Sequence, residues 1–373
     1  MSKKVSIIFG TRPEAIKLVP VILELRKYPE FEVSVCITAQ HREMLDQVLE
    51  IFEIIPDCDL NIMKPNQSLS ELTANCIKLL DQYVKEFNPD IILVQGDTTS
   101  AFAGSLVAFY NKVMVGHVEA GLRTWNKYSP FPEEINRVLT TKIADIHFAP
   151  TILSKENLLN DNVESSKIVI TGNTVIDALK IARDKVILHK PVVPGIDQDI
   201  IYKDDKKLVL ITGHRRENFG DAFNNICIAI DELSAKFKDV YFVYPVHMNP
   251  NVREPVFRIL GNKTNVFLIE PLSYLPFVSL MIRSTLILTD SGGVQEEAPS
   301  LGKPVLVMRE NTERPEAIDA GTVKLVGTSV NKIIEETTEL LTNESSYSKM
   351  ANAINPYGDG KAAARICVEL LKY

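Results

Sequence analysis

The chain alternates short runs rich in β-branched residues with amphipathic segments, and this rhythm restricts it to a small set of folds. In the first half, residues 5–9, 33–37, 91–94, 113–118 and 168–170 are predicted strands. Residues 18–27, 42–52, 69–87, 101–110 and 133–144 are the predicted helices between them. Alternation of this kind builds βαβ units, whose parallel strands are covered by helices on both faces. We therefore predict an α/β fold.

The rhythm stops over residues 184–206, where prolines and clustered charges indicate a linker. It restarts with predicted strands at 208–212, 240–244, 266–269, 285–289, 305–307 and 323–326. We predict two Rossmann-like, doubly wound parallel-sheet domains, residues 1–183 and 207–356, with a helix in 357–373 packing back on the first. In such folds ligands bind beyond the carboxyl ends of the strands, here in a central cleft that the two domains face.

Composition narrows the possible partners. The net charge is −7 over 373 residues and there is no basic stripe, so we expect no nucleic acid partner. The five cysteines form no C-x-x-C, and no apolar run has the length of a signal sequence or a membrane span. We expect a cytoplasmic protein without a membrane partner. The histidines show no metal-ligand spacing, and G-x-G-x-x-G and P-loop motifs are absent, so we expect no metal and no cofactor.

A strand–turn–helix segment in the second half predicts an anion site. The predicted strand 285–289 leads into Asp290, Ser291, Gly292 and Gly293, and then into a predicted helix. Glycines let the backbone approach a phosphate, and the free N–H groups of a helix N-terminus point at it. Glu296 and Glu297 lie one turn further on and could reach sugar hydroxyls. An ordinary strand–helix turn is the alternative interpretation.

Charged residues follow the predicted strands of the first half. Arg12 and Lys17 follow the first strand, where the alternative is a capped helix with basic residues on its surface. Asp97 follows 91–94, and a helix N-cap would also explain it. Glu119 follows 113–118, and capping does not explain it, although a structural pair with Arg123 would.

Two further segments complete the candidate site. Glu133 and Glu134 begin a predicted helix, where one of the two acids would simply complement the helix dipole. His214, Arg215 and Arg216 follow the strand 208–212 and suit a polyphosphate clamp. Together, three carboxylates on the first domain and a phosphate binder on the second predict acid–base chemistry on a nucleotide diphosphate.

These segments, in this order, resemble the bacterial non-hydrolysing UDP-N-acetylglucosamine 2-epimerases. The matching segments are residues 9–17, 96–99, 116–124, 132–137, 171–177, 213–218, 290–299 and 312–317, spread over nearly the whole chain. The resemblance implies the glycosyltransferase-B-like arrangement of two Rossmann-like domains. It also implies a homodimer.

The resemblance implies reversible C2 epimerisation of UDP-N-acetylglucosamine to UDP-N-acetylmannosamine. The route would be elimination of UDP to 2-acetamidoglucal and re-addition, supplying N-acetylmannosamine units for surface polysaccharide synthesis. The alternatives are a hydrolysing 2-epimerase that releases UDP and N-acetylmannosamine, a sugar transferase on the same scaffold, and a catalytically silent sensor. The intact segments at 119–123 and 132–134 argue against hydrolysis.

The family also implies roles for individual residues. Asp97, Glu119 and Glu133 would transfer protons, with the face of C2 that each serves left open, and His214 would stabilise the departing UDP. Asp97, Glu119 and His214 would also contact the substrate. Further contacts would come from Arg12, Lys17, Phe277, Ser291, Gly292, Gly293, Glu297 and Arg314. A second UDP-N-acetylglucosamine, bound as an activator, would contact Gln47, Arg215 and His247.

Overall fold

The computed structural model describes residues 2–39, 42–64 and 66–373. The chain divides into two compact units. Unit 1 comprises Met1–Ala178 and Tyr357–Tyr373, and unit 2 comprises Leu179–Pro356. Each unit contains a parallel sheet, and helices alternate with its strands along the chain. The predicted fold class is therefore confirmed.

Unit 1 contains a seven-stranded sheet, as far as the described residues show. Its strands are β1 (Lys3–Phe9), β2 (Phe31–Ile37), β3 (Cys58–Asp59), β4 (Ile91–Gln95), β5 (Met114–Val118), β6 (Ile146–Ala149) and β7 (Ile168–Ile170), in the order β3-β2-β1-β4-β5-β6-β7. All the strand pairs are parallel. The carboxyl ends of β4 and β5 are therefore neighbours, and the residues that follow them come together.

The helices of unit 1 follow these strands in the chain. They are α1 (Arg12–Leu25), α2 (Arg42–Ile51), α3 (Leu69–Phe87), α4 (Thr99–Tyr110), α5 (Glu133–Ile143), α6 (Ile152–Asn160) and the last helix, α16 (Ala362–Leu370). A 3-10 helix spans Ser165–Lys167. The carboxylate of Asp177 accepts the N–H groups of Ala362, at 3.1 Å, and of Ala363, at 3.0 Å. This side chain caps the first turn of α16 and attaches the C-terminal helix to unit 1.

Unit 2 contains a six-stranded parallel sheet. Its strands are β8 (Leu208–Thr212), β9 (Tyr241–Pro245), β10 (Val266–Ile269), β11 (Leu286–Thr289), β12 (Val305–Val307) and β13 (Val323–Leu325), in the order β10-β9-β8-β11-β12-β13. Its helices are α8 (Gln198–Tyr202), α9 (Asp221–Lys236), α10 (Pro250–Leu260), α11 (Tyr274–Arg283), α12 (Gly292–Glu297), α13 (Pro315–Asp319), α14 (Val330–Thr342) and α15 (Glu344–Ala351). Short 3-10 helices span Arg216–Asn218 and Ala298–Leu301. Since β8 and β11 are neighbours, the turns that follow them meet.

The domain boundary differs from the predicted one. The division falls inside α7 (Thr174–His189), so the predicted linker 184–206 begins within a helix. The rest of that segment packs into unit 2: Val193, Ile196 and Ile201 are buried, and Arg283 Nε donates to the carbonyl of Ile200 at 2.8 Å. The prolines and charges of this segment predicted a linker. Its apolar side chains instead pack it against the rest of unit 2.

Two strands were missed in the sequence. Strand β3, which is not among the predicted strands, consists of Cys58 and Asp59 and pairs at the edge of the sheet with Cys36 and Ile37. Strand β6 pairs with β5 and β7, although the sequence contains only one β-branched residue there, Ile146. Among the described residues, no helix is both long and apolar enough to cross a membrane.

Candidate functional site

Glu119 lies directly after β5 and is held by several donors. Its carboxylate oxygens are both 2.6 Å from Nζ of Lys17. Asn173 Nδ2 donates to it at 2.8 Å, and Gln95 Nε2 donates as well. The side chain is 5% exposed, so this carboxylate is buried together with its counter-charge.

The backbone of Glu119 adopts φ 62°, in the left-handed region. This conformation costs a non-glycine residue about 1 kcal/mol or more, and such residues cluster at functional sites. The chain after β5 therefore holds Glu119 in a position that local preference does not favour. The alternative pair with Arg123 is not formed, since Arg123 Nε donates to Asp161 at 2.8 Å and Nη2 donates to Thr141 at 2.8 Å.

Asp97 lies after β4, one residue beyond Gly96. It is not the N-cap of α4, because Thr98 has that role and its hydroxyl accepts the N–H of Ala101. Asp97 Oδ2 accepts a hydrogen bond from Arg137 Nη2 at 2.5 Å. Burial raises the pKa of Asp97, Arg137 opposes that shift, and the charge of Glu119 adds to it. A carboxyl group with a raised pKa is suited to proton transfer near neutral pH.

Of the two acids that begin α5, Glu134 is structural. Its carboxylate accepts the N–H groups of Thr124, at 3.1 Å, and Trp125, at 3.0 Å. It also lies 3.3 Å from Arg137 Nη1. Glu133 is half-buried, and its spacing of four residues from Arg137 places both on one face of α5. Arg137 contacts Asp97.

Three positioning residues in unit 1 were missed in the sequence. Gln95 and Asn173 both donate to Glu119, as described above. Glu14 is fully buried, and its carboxylate accepts from Gly10 N at 3.1 Å, Thr11 N at 2.8 Å and Thr98 Oγ1 at 2.6 Å. It joins the turn after β1, which carries Arg12, to the turn after β4, which carries Asp97. The available signal was the capping box formed by Thr11 and Glu14.

In unit 2, the turn after β8 is attached to the turn after β11. Asp290 is fully buried, and Oδ2 accepts the backbone N–H groups of His214 and Arg215, both at 2.8 Å. The ring of His214 stacks on that of His247, with centroids 5.3 Å apart and planes 13° apart. Burial lowers the pKa of His214 and the charge of Asp290 opposes this shift.

The Ser-Gly-Gly turn forms the start of α12 as predicted, with Ser291 as the N-cap residue. A β-carbon placed on Gly292 would lie 3.6 Å from Nη2 of Arg314 and 3.9 Å from Nη2 of Arg215. A β-carbon on Gly293 would meet nothing within 4 Å. Two guanidinium groups therefore lie beside a glycine backbone at a helix start, an arrangement suited to an anion.

The two glutamates of α12 have different roles. Glu296 is bound to Arg314 Nε, so its carboxylate orients that guanidinium rather than facing a sugar. Glu297 is 7% exposed and accepts a hydrogen bond from Tyr274 Oη at 3.2 Å. Phe277 lies in the first turns of α11, the helix that carries Tyr274, and is half-buried.

The residues predicted to bind an activator are divided between the two units. Gln47 is exposed on α2 in unit 1, and Arg215 and His247 lie in unit 2. Gln40 and His41, in the segment that suggested Gln47, fall outside the described residues. Within residues 2–39, 42–64 and 66–373, no three His, Cys, Asp or Glu side chains converge in a way that could hold a metal ion.

Two parallel-sheet α/β units with these turns define the glycosyltransferase-B-like class of protein. The UDP-N-acetylglucosamine 2-epimerase family matches residues 23–371. The UDP-N-acetylglucosamine 2-epimerase of Escherichia coli K12 is 58% identical over 370 residues, which are 99% of this chain and 98% of that protein. The Bacillus subtilis enzyme of the same name is 55% identical over 368 residues, 99% of this chain and 95% of that protein.

Solved structures agree with these relatives. The crystal structure of UDP-GlcNAc 2-epimerase from Neisseria meningitidis bound to UDP-GlcNAc has a TM-score of 0.89 to this chain. It is 56% identical and covers 99% of this chain and 100% of its own. The chain belongs to the UDP-N-acetylglucosamine 2-epimerase family, as its sequence motifs predicted.

Proposed function

We propose that the chain epimerises UDP-N-acetylglucosamine at C2 by elimination and re-addition, without net hydrolysis. A base removes the C2 proton, and the C2–H electron pair forms the C1–C2 double bond as the C1–O bond breaks. UDP leaves with that second electron pair, and 2-acetamidoglucal remains. UDP then adds back to C1, and a proton returns to C2 on the opposite face, which gives UDP-N-acetylmannosamine.

The observation that carries this proposal is the pair of acids after the neighbouring strands β4 and β5. Glu119 is surrounded by Lys17, Asn173 and Gln95, which all donate to its carboxylate. Asp97 has one arginine partner, and burial raises its pKa. Two acids in unlike environments are suited to giving and taking protons in one cycle. Glu133, on the same face of α5 as Arg137, is the third candidate, and the face of C2 that each acid serves stays open.

The nucleotide is proposed to bind to unit 2. Ser291, Gly292, Gly293 and Arg314 would contact the diphosphate, and Arg12 of unit 1 would add a further positive charge. His214 would stabilise the negative charge that develops on the departing UDP. Glu297 would bind the ribose hydroxyls, and Phe277 would lie near the uracil. Lys17 contacts Glu119, so its ammonium would hold that acid in its charged form besides any contact with phosphate.

We also propose the finer properties that the family resemblance implies. A second UDP-N-acetylglucosamine would activate the enzyme through Gln47, Arg215 and His247. The enzyme would act as a homodimer in the cytoplasm, where its product would supply surface polysaccharide synthesis. The five cysteines, which are all free thiols, are compatible with a reducing compartment.

Product analysis tests the proposal against its closest rival. Purified protein is incubated with UDP-N-acetylglucosamine, and products are separated by anion-exchange chromatography. We expect UDP-N-acetylmannosamine in equilibrium with the substrate, with little free UDP. Stoichiometric UDP and free N-acetylmannosamine would instead identify a hydrolysing enzyme. Turnover only after a sugar acceptor is added would identify a transferase.

A further inference from the structure

We propose that Asp290 is the positioning residue of His214: it orients the imidazole ring, fixes the proton on Nδ1 and favours the protonated form. This inference goes beyond the proposed function but rests on it for the role of His214 in catalysis. Asp290 follows β11, and His214 lies two residues after β8, the neighbouring strand. Both residues belong to unit 2.

The carboxylate of Asp290 is held from one side by the backbone of the turn that it positions. Oδ2 accepts the N–H groups of His214 and Arg215 at 2.8 Å each, and Asn218 Nδ2 lies 3.4 Å away. The side chain is completely buried. The turn after β8 therefore cannot move relative to Asp290 without breaking two charge-assisted hydrogen bonds.

The other oxygen of this carboxylate is directed at the ring of His214. Oδ1 is buried and accepts no hydrogen bond from any described residue. It lies 3.7 Å from His214 Nδ1, just beyond hydrogen-bond distance. A buried acceptor without a donor is costly, so a proton on Nδ1 is favoured at this position. With Nδ1 protonated, the second ring nitrogen, Nε2, is the atom left to act, and 43% of the side chain is exposed.

The charged groups around His214 do not all act in the same direction. Burial and the nearby His247 and Arg215 all disfavour a positive charge on the ring. Asp290 alone among these groups favours the charge. The ring of His247 stacks on the ring of His214. Nδ1 of His247 accepts the N–H of Asn249 at 3.1 Å. Together these groups lower the pKa of His214, and the carboxylate of Asp290 is the group that limits this shift.

This arrangement fits the departure of UDP. As the C1–O bond breaks, its electron pair moves to the β-phosphate oxygen, and an imidazolium can donate a hydrogen bond from Nε2 to that oxygen. The positive charge stays on the ring and is balanced by Asp290. Asp290 itself contacts no substrate atom in this account, and it acts only through His214.

Histidine NMR on the wild-type protein is the first test, because it needs no variant to fold. Ring nitrogens are labelled with ¹⁵N, and the signal of His214 is assigned as the one lost in His214→Gln. We expect the neutral ring to carry its proton on Nδ1. A neutral ring that carries its proton on Nε2 would overturn the proposal.

The Asp290→Asn variant tests the charge while keeping an oxygen that can accept the two N–H groups. We expect the pKa of His214 to fall by about 1 pH unit, because an opposite charge at this distance has been removed. We also expect kcat to fall with little change in KM, and the basic limb of the kcat profile to move to lower pH. In a His214→Gln background, Asp290→Asn should produce no further loss.

Asp239→Asn is the matched control, since it removes a carboxylate from the exposed surface of unit 2. It should leave the pKa of His214 and the pH profile unchanged. An unchanged His214 pKa in a folded Asp290→Asn protein would overturn the proposal. If the proposed epimerisation is wrong, the wild-type protein will show no turnover. The NMR measurements do not depend on turnover, so they test the Asp290–His214 pairing independently.

Discussion

Nζ of Lys17 lies 2.6 Å from both carboxylate oxygens of Glu119, and both side chains are largely buried. Lys17 is on α1 and Glu119 follows β5, so this ion pair joins a helix and a turn whose paired residues are 102 positions apart in sequence. Lys17 supplies the counter-charge to this buried acid, and burial and the charge of Glu119 both raise the pKa of Asp97. We infer that the Lys17–Glu119 ion pair is the central electrostatic interaction of unit 1.

Lys17→Met should therefore affect both stability and turnover. It leaves Glu119 buried without its counter-charge, so we expect a loss of about 3 kcal/mol in the free energy of unfolding. An uncompensated Glu119 takes up a proton, so kcat should fall by about 100-fold. Urea unfolding and steady-state kinetics measure the two effects. Lys78→Met, on the exposed surface of α3, is the control, and equal behaviour of the two variants would refute the role of the pair.

Asp97→Asn and Glu119→Gln should each remove a proton-transfer group while preserving shape. We expect kcat to fall by about 1,000-fold in each, since positioned acids and bases contribute at this level. Binding of UDP, measured by calorimetry, should change little because neither acid belongs to the phosphate-binding turns. Turnover close to the wild-type rate in either variant would remove that residue from the mechanism.

Arg137→Gln should change the pH dependence of turnover. Arg137 opposes the upward shift in the pKa of Asp97, so the variant should raise that pKa further. An Asp97 that must be deprotonated to act as base then loses its proton at higher pH. The acid limb of the kcat profile should move up by about 1 pH unit. The exposed Arg26→Gln variant is the control, and an acid limb at the wild-type pH in Arg137→Gln would contradict this assignment.

Arg314→Gln should weaken nucleotide binding. The guanidinium of Arg314 is oriented by Glu296 and lies beside Gly292. Loss of a charged hydrogen bond to phosphate costs about 1.5–3 kcal/mol, which corresponds to an increase of about 10- to 100-fold in the Kd for UDP. Calorimetric titration with UDP measures this change. Arg258→Gln, on the surface of α10, should bind as the wild type does, and equal affinities in both variants would refute the contact.

Much of this architecture could be predicted because parallel sheets place strand ends at one edge. That rule alone selected the turns that carry Asp97, Glu119, His214 and Ser291 as candidates. It could not decide between adjacent acids, because neighbouring residues on a helix differ by about 100° in direction and only tertiary contacts fix which way each faces.

The acids of α5 and α12 illustrate this limit. Glu134 and Glu296 were as plausible in sequence as Glu133 and Glu297, and the structure assigns the first two to Trp125 and Arg314. Asn173 donates to an acid 54 residues away, so no local pattern could reveal its contact. The strand β3 was missed because two residues are too few to show a periodicity.

Hydrogen exchange at C2 reports directly on proton transfer by Asp97 and Glu119. Wild-type protein is incubated with UDP-N-acetylglucosamine in deuterated water and followed by ¹H and ³¹P NMR. We predict deuterium at C2 in UDP-N-acetylmannosamine, with the diphosphate still attached. Formation of UDP-N-acetylmannosamine with its C2 proton retained from the substrate, or substrate binding without any exchange, would contradict proton transfer by Asp97 and Glu119.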